Sequence, residues 1–216
     1  MSYSREESPS DKKPRSGLFG KIRERLNTLD DYLLMTRSKS ILRRYFVMNA
    51  FDGAMTSLGV VIGSYIINIE DPKSVIGVIL VSGVAMAVSG FSGTFMTESA
   101  ERSHSLHALE DAMLIELDKS EFGKASRVVS LFAALVDGTA PFLASLPCIV
   151  PFFLSFLSIL PLHVAFYSSI IASLTVLFFL GFYLGRVSKE NVFVSGIKMV
   201  VAGIVVALIA LILGGH

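Results

Sequence analysis

Five long apolar runs, separated by short polar breaks, set the pattern of this chain. A helix that crosses a bilayer needs roughly 20 mostly apolar residues, and each run reaches that length. The first extends from about Phe46 to Asn68 and the second from about Val75 to Thr97. Two more fill Val128 to Leu184, divided near Ser158 to Pro161, and the last covers about Val192 to Leu213. The breaks are an acidic turn (Ile69-Glu70-Asp71-Pro72-Lys73), a charged stretch from Glu98 to Arg127, and the loop GRVSKEN. Ahead of the runs, residues 1–17 are polar and without periodicity, which predicts a disordered tail. From Leu18 the chain changes: Leu18, Ile22, Leu26, Leu29 and Leu33 recur at helical spacing with Lys21, Arg23, Glu24 and Arg25 between them. That pattern predicts a basic amphipathic helix, suited to an anionic bilayer surface or to packing on the rest of the protein.

The expected architecture is an all-α polytopic membrane protein with five transmembrane helices and a short cytosolic helical segment between the second and third. Its parts are a tail (1–17), a juxtamembrane helix (18–44), transmembrane helices 1 and 2 (45–97), the cytosolic segment (98–127) and transmembrane helices 3 to 5 (128–214). Composition agrees, with 52% hydrophobic residues and 17% charged, against about 25% charged in soluble domains. No early apolar segment with a cleavage site predicts a signal peptide. The single cysteine, Cys148, excludes an intrachain disulfide. Net charge is only +1 and says little by itself; the lipid bilayer, and no nucleic acid, is the expected partner. The distribution of the basic residues fixes an orientation. With the N-terminus in the cytosol and the C-terminus outside, seventeen of the nineteen Lys and Arg residues lie inside, as the positive-inside rule requires.

Three ionisable residues fall within the runs: Asp52, Asp137 and Lys198. A carboxylate in hydrocarbon costs about 2.5–3.5 kcal/mol on insertion scales, so each needs a partner, water or a cargo. Met48, Asp52, Thr56, Gly59 and Gly63 share one helical stripe, with Met55 beside it. A hard oxygen ligand flanked by thioethers and small residues suits a neighbouring helix and a cation passing between the two. Asp137 repeats the context of Asp52 (DGTAPFLA against DGAMTSLG), so a parallel repeat of two spans is one reading. Pairing with Lys198 is the purely structural alternative. In the second run, Gly83, Ala87, Gly90, Thr94 and Glu98 form a small-residue stripe, with Met86, Gly93, Thr97 and Glu101 adjacent. It reads either as close helix packing or as a path towards Glu98 and Glu101. Pro141, Pro147 and Pro151 predict a broken or kinked third span, whose freed carbonyls offer further ligands. In the charged stretch, Glu101, His104, His107 and Asp111 recur at helical spacing with Glu110 alongside. Such a set ligates divalent first-row metals or is simply a solvated face.

The segment NAFDGAMTSLGVVIG resembles the signature of the vacuolar iron transporter family, an Asn-x-x-Asp-Gly pattern followed by Thr or Ser and spaced glycines. The resemblance extends over roughly residues 43–214, through the small-residue second span ending in Glu98, the proline-bearing third span and the glycine-spaced last one (Gly196, Gly203). It implies a homodimer that moves cytosolic Fe²⁺ or Mn²⁺ in exchange for protons, with Asp52 as the in-membrane ligand and a glutamate-bearing cytosolic helix as the collector. Glu98, Glu101 and Glu110 stand at the collecting positions. Where many members carry a Ser-Met pair near the end of the second span, this chain has Gly93 and Thr94, leaving Met96 or Met86 to supply a thioether. No permanently bound cofactor is expected, since Fe²⁺ or Mn²⁺ is the cargo. The other readings are a passive divalent cation channel and a membrane-embedded aspartyl hydrolase using Asp52 and Asp137. No Gly-x-Ser-x-Gly, His-Glu-x-x-His or nucleotide-binding loop accompanies them, so an enzyme is not expected.

Overall fold

The computed structural model describes residues 27–34, 38–117 and 120–214. The expected tail, and the amphipathic helix as far as Leu26, lie outside the described residues. A short helix, α1 (27–34), precedes five long ones: α2 (Lys39–Ile66), α3 (Pro72–Met113), α4 (Glu121–Phe156), α5 (Leu162–Ser188) and α6 (Val192–Gly214). All five long helices are extended and apolar enough to cross a membrane, which is consistent with an integral membrane protein. They run in alternating directions. The starts of α2, α4 and α6 therefore share one end of the bundle with the far end of α5 and the extension of α3. This end holds Arg43, Arg44, Arg102, Arg127 and Arg186 and is called the basic end below.

The bundle is centred on α2 and α4. Ala50, Ala54, Leu58 and Ile62 of α2 meet Ala140 and Ala144 of α4 and Leu177 of α5. Towards the opposite end, Val61, Val75, Ile79, Phe152, Ala165 and Phe166 form a second cluster. Glycines permit the close approaches. A Cβ added at Gly138 of α4 would stand 2.6 Å from the Ala87 carbonyl oxygen of α3, and one at Gly53 of α2 would overlap the Pro141 backbone of α4. Lipid tails are as apolar as the side chains, so such close packing supplies much of the attraction between helices. The described part of the amphipathic helix packs on the bundle through Leu33, against Leu42, Val129 and Ala133. Lys39 forms an ion pair with Asp30 at 2.7 Å.

Two expectations are corrected. Among the described residues no separate helix lies between the second and third spans, because residues 98–113 continue α3 and residues 121–127 begin α4. Polar residues end the hydrophobic run at Glu98, but no glycine or proline follows until the helix stops at Leu114, which turns left-handed with φ 52°. There Glu110 Oε1 accepts the backbone N–H of Leu117 at 2.6 Å. At 42 residues and 1.5 Å per residue, α3 is about 63 Å long, twice the hydrocarbon thickness. Of the broken and kinked readings of the third span, moreover, the broken one is ruled out. Helix α4 continues through Pro141, Pro147 and Pro151, with Pro141 seated against Gly53.

Candidate functional site

A column of polar side chains descends from the basic end between α2, α3 and α4. At its top, Arg102 Nη2 donates to Ser38 Oγ at 2.8 Å, and Arg102 Nε donates to Glu98 Oε2 at 3.0 Å. The hydroxyl of Tyr45 donates to the other oxygen of Glu98 at 2.8 Å. One turn further along α2, the Asn49 side-chain amide donates to the Tyr45 carbonyl at 3.2 Å and to Asp137 Oδ1. Thr94 Oγ1 completes the column, donating to Asp137 Oδ2 at 2.6 Å. Helical spacing explains the arrangement: Tyr45 and Asn49 are four apart on α2, and so are Thr94, Glu98 and Arg102 on α3. Both carboxylates are buried, Asp137 at 4% and Glu98 at 8% exposure. Among the described residues every buried side-chain nitrogen and oxygen has a partner. A closed network of this kind fixes the three helices in register, since a buried polar atom left unpaired costs about 1–3 kcal/mol.

The small-residue stripe of α3 faces this column. Gly83 lies against Phe142 and Ser145, and a Cβ at Gly90 would stand 3.2 Å from Asp137 Oδ2. Gly90 also lies close to the Asp137 carbonyl, the one that Pro141 leaves without its helical donor. At Gly83 and Gly90 the stripe is closely packed against α4.

Asp52 belongs to a different surface. It is exposed, as is Thr56, and Met48 is 57% exposed. Met55 is half-buried, and nothing lies within 4 Å of a Cβ built at Gly59 or Gly63. The predicted stripe is thus one continuous face of α2 that no helix among the described residues covers. Lys198 is exposed and enters none of the ion pairs among the described residues, so the structural reading in which it neutralises either aspartate does not hold within the chain.

The remaining candidates do not gather. Among the described residues no three His, Cys, Asp or Glu side chains come together as a metal site. Glu98, expected as an open collecting ligand, is held by Tyr45 and Arg102, and Glu110 caps the end of α3. Glu101, His104, His107 and Asp111 are exposed along the α3 extension, Met86 is half-buried, and Met96 is 72% exposed. Thr94 and Asp137 are the two pathway candidates brought into contact. Sequence reasoning missed Asn49, Tyr45, Arg102 and Ser38. Of these, Asn49 and Tyr45 carried a signal, as polar residues one turn apart leading into Asp52.

No family model matches the chain, and no solved structure matches it. It is 33% identical over 169 residues to the uncharacterised protein MJ0645 of Methanocaldococcus jannaschii, an alignment covering 77% of this chain and 85% of that one. At that identity and coverage, the chain belongs to the same family as the archaeal protein.

Proposed function

We propose that this protein carries a divalent transition metal, Fe²⁺ or Mn²⁺, across a membrane as a homodimer, with the open face of α2 as the wall of the path. The N-terminus and the basic end lie in the cytosol in this reading. The observation that carries it is Asp52, a carboxylate standing on an exposed face of a membrane-length helix among Met48, Met55, Thr56, Gly59 and Gly63. Facing lipid, an ionised group at that depth costs about 2.5–3.5 kcal/mol. A second copy laid against the same face removes the exposure, brings two Asp52 carboxylates and several thioethers to one axis, and lets glycine surfaces meet. Oxygen and thioether donors together suit a borderline cation better than Mg²⁺ or Ca²⁺, which take oxygen alone. Among the described residues one chain assembles no cluster of three ligands, and two copies double every donor on the face.

The resemblance of NAFDGAMTSLGVVIG to the vacuolar iron transporter signature supports the same cargo. Proton and metal compete for the Asp52 oxygens in this scheme, which is the minimal chemistry of antiport. A passive channel keeps the residues and drops the coupling. A hydrolase pairing Asp52 with Asp137 gains no support, because Asn49 and Thr94 occupy both oxygens of Asp137.

The test is uptake of Fe²⁺, Mn²⁺, Zn²⁺ and Mg²⁺ into sealed proteoliposomes under a set proton gradient. Native protein is expected to move Fe²⁺ or Mn²⁺, and Asp52→Ala to fall to the level of protein-free vesicles while eluting as a folded species. Unchanged uptake by that variant rejects the path. Uptake that ignores the gradient favours the channel.

A further inference from the structure

On the other side of α2 from the polar column, the basic end carries a groove of about 390 Å³ between α2, α5 and α6. Its volume falls in the range of about 300–1,000 Å³ that small-ligand sites occupy. Its walls are largely apolar and include Val47, Met48, Phe51, Leu184, Val187 and Met199, and its rim carries Ser40, Arg43 and Arg44. Both arginines are exposed and neither enters an ion pair among the described residues. Arg44 lies 5.7 Å from the centre of the Tyr45 ring. No acidic side chain lines the groove, and Arg186 in the last turn of α5 adds to the charge nearby. The two arginines stand where the apolar run of α2 begins, the level at which lipid headgroups meet a spanning helix.

An uncompensated pair of guanidinium groups above an apolar slot matches one kind of occupant, a molecule with a phosphate at one end and hydrocarbon at the other. Guanidinium forks bind phosphate oxygens in pairs of hydrogen bonds, and basic pockets between membrane helices take anionic headgroups. We propose that this groove binds an anionic phospholipid, with the phosphate on Arg43 and Arg44, the Ser40 hydroxyl beside it, and one acyl chain along Val47, Phe51 and Leu184. The groove adjoins the Asp52 face through Met48, which lines it. The phosphate contacts proposed here, Arg43, Arg44 and Ser40, are neither in the column nor ligands for the metal, so loss of lipid and loss of metal transport are separable.

The test counts lipids retained by the full chain, purified from mixed micelles of phosphatidylglycerol and phosphatidylcholine, by native mass spectrometry. The native protein is expected to retain phosphatidylglycerol in preference to phosphatidylcholine. The double variant Arg43→Gln/Arg44→Gln should lose about thirtyfold in affinity for it, taking ~1 kcal/mol per arginine near the surface and 1.4 kcal/mol per tenfold. Lys73→Gln, a basic residue at the opposite end, should keep the preference. Val187→Trp, which fills the slot and leaves both charges, should lose the bound lipid while the protein still elutes as a single species. Three results would each overturn the site: no preference in the native protein, a preference that survives the double arginine variant, or inorganic phosphate retained by the native protein as strongly as phosphatidylglycerol. Retention unchanged in Val187→Trp would also overturn it, by reducing the effect to surface charge.

Discussion

Asp52-Gly53 in α2 and Asp137-Gly138 in α4 are the same dipeptide at comparable depth, and in both the glycine lets a neighbouring helix approach. Gly53 admits the Pro141 backbone, and Gly138 admits the Ala87 carbonyl. The carboxylates part company. Asp137 lies between three helices and receives hydrogen bonds from Asn49 and Thr94 on both oxygens. Asp52 is turned out of the chain beside open glycines. The difference follows from what surrounds each helix. α4 is flanked by α2 and α3 where Asp137 emerges, whereas the Asp52 side of α2 has no neighbour among the described residues. A satisfied buried acid holds a bundle together, and an unsatisfied acid at membrane depth calls for something outside the chain.

Breaking the column should have the largest effect. Glu98 and Arg102 are side chains exposed to only 10% and 14%, and removing one member of a buried pair typically costs about 3–5 kcal/mol. Glu98→Ala should therefore sharply lower the thermal midpoint in detergent. If it left stability intact, Glu98 would be free to act as a collecting ligand instead. Next come the glycines. Gly138→Ala forces a methyl into the Ala87 carbonyl, overpacking that costs about 1–3 kcal/mol. Gly63→Ala meets nothing within 4 Å and should leave the unfolding of the single chain unchanged while weakening association between copies, read by size-exclusion with light scattering. Third, Asp137→Ala strands the Asn49 amide and Thr94 hydroxyl at a cost of about 1–3 kcal/mol. Asp52→Ala should stay within about 0.5 kcal/mol of native stability. Equal losses from the two alanine variants would erase the distinction between the acids.

Much of this was legible from hydrophobic pattern alone. The five spans follow from run length, and the start of α6 at Val192 coincides with the predicted one. The extension of α3 was hidden because hydropathy reports where a helix leaves an apolar medium, not where it stops being a helix, and nothing in residues 98–113 breaks one. The Asp52 stripe was readable from 3.6-residue periodicity, but its outward direction depends on Gly53 docking against Pro141, a contact between residues far apart in sequence. The column was half visible. Asp137, Thr94 and Glu98 stood out as polar groups in apolar runs, while their pairing with Asn49 and Tyr45 required the helices to be placed. The histidines and acids of the α3 extension looked like a ligand set by spacing, yet a single exposed helix offers them no convergence.

Disulfide crosslinking of Thr56→Cys in native membranes tests most directly whether a second copy covers the Asp52 face. The single native cysteine, Cys148, is buried beside Ser173 at 3.0 Å, so the introduced thiol is the one accessible to oxidant. A covalent dimer should form rapidly under mild oxidation from Thr56→Cys and not from a cysteine placed at Ile171 on the exposed outer side of α5. Absence of a crosslink at Thr56, with the protein monomeric in the bilayer, would contradict the account and leave Asp52 without the partner it requires.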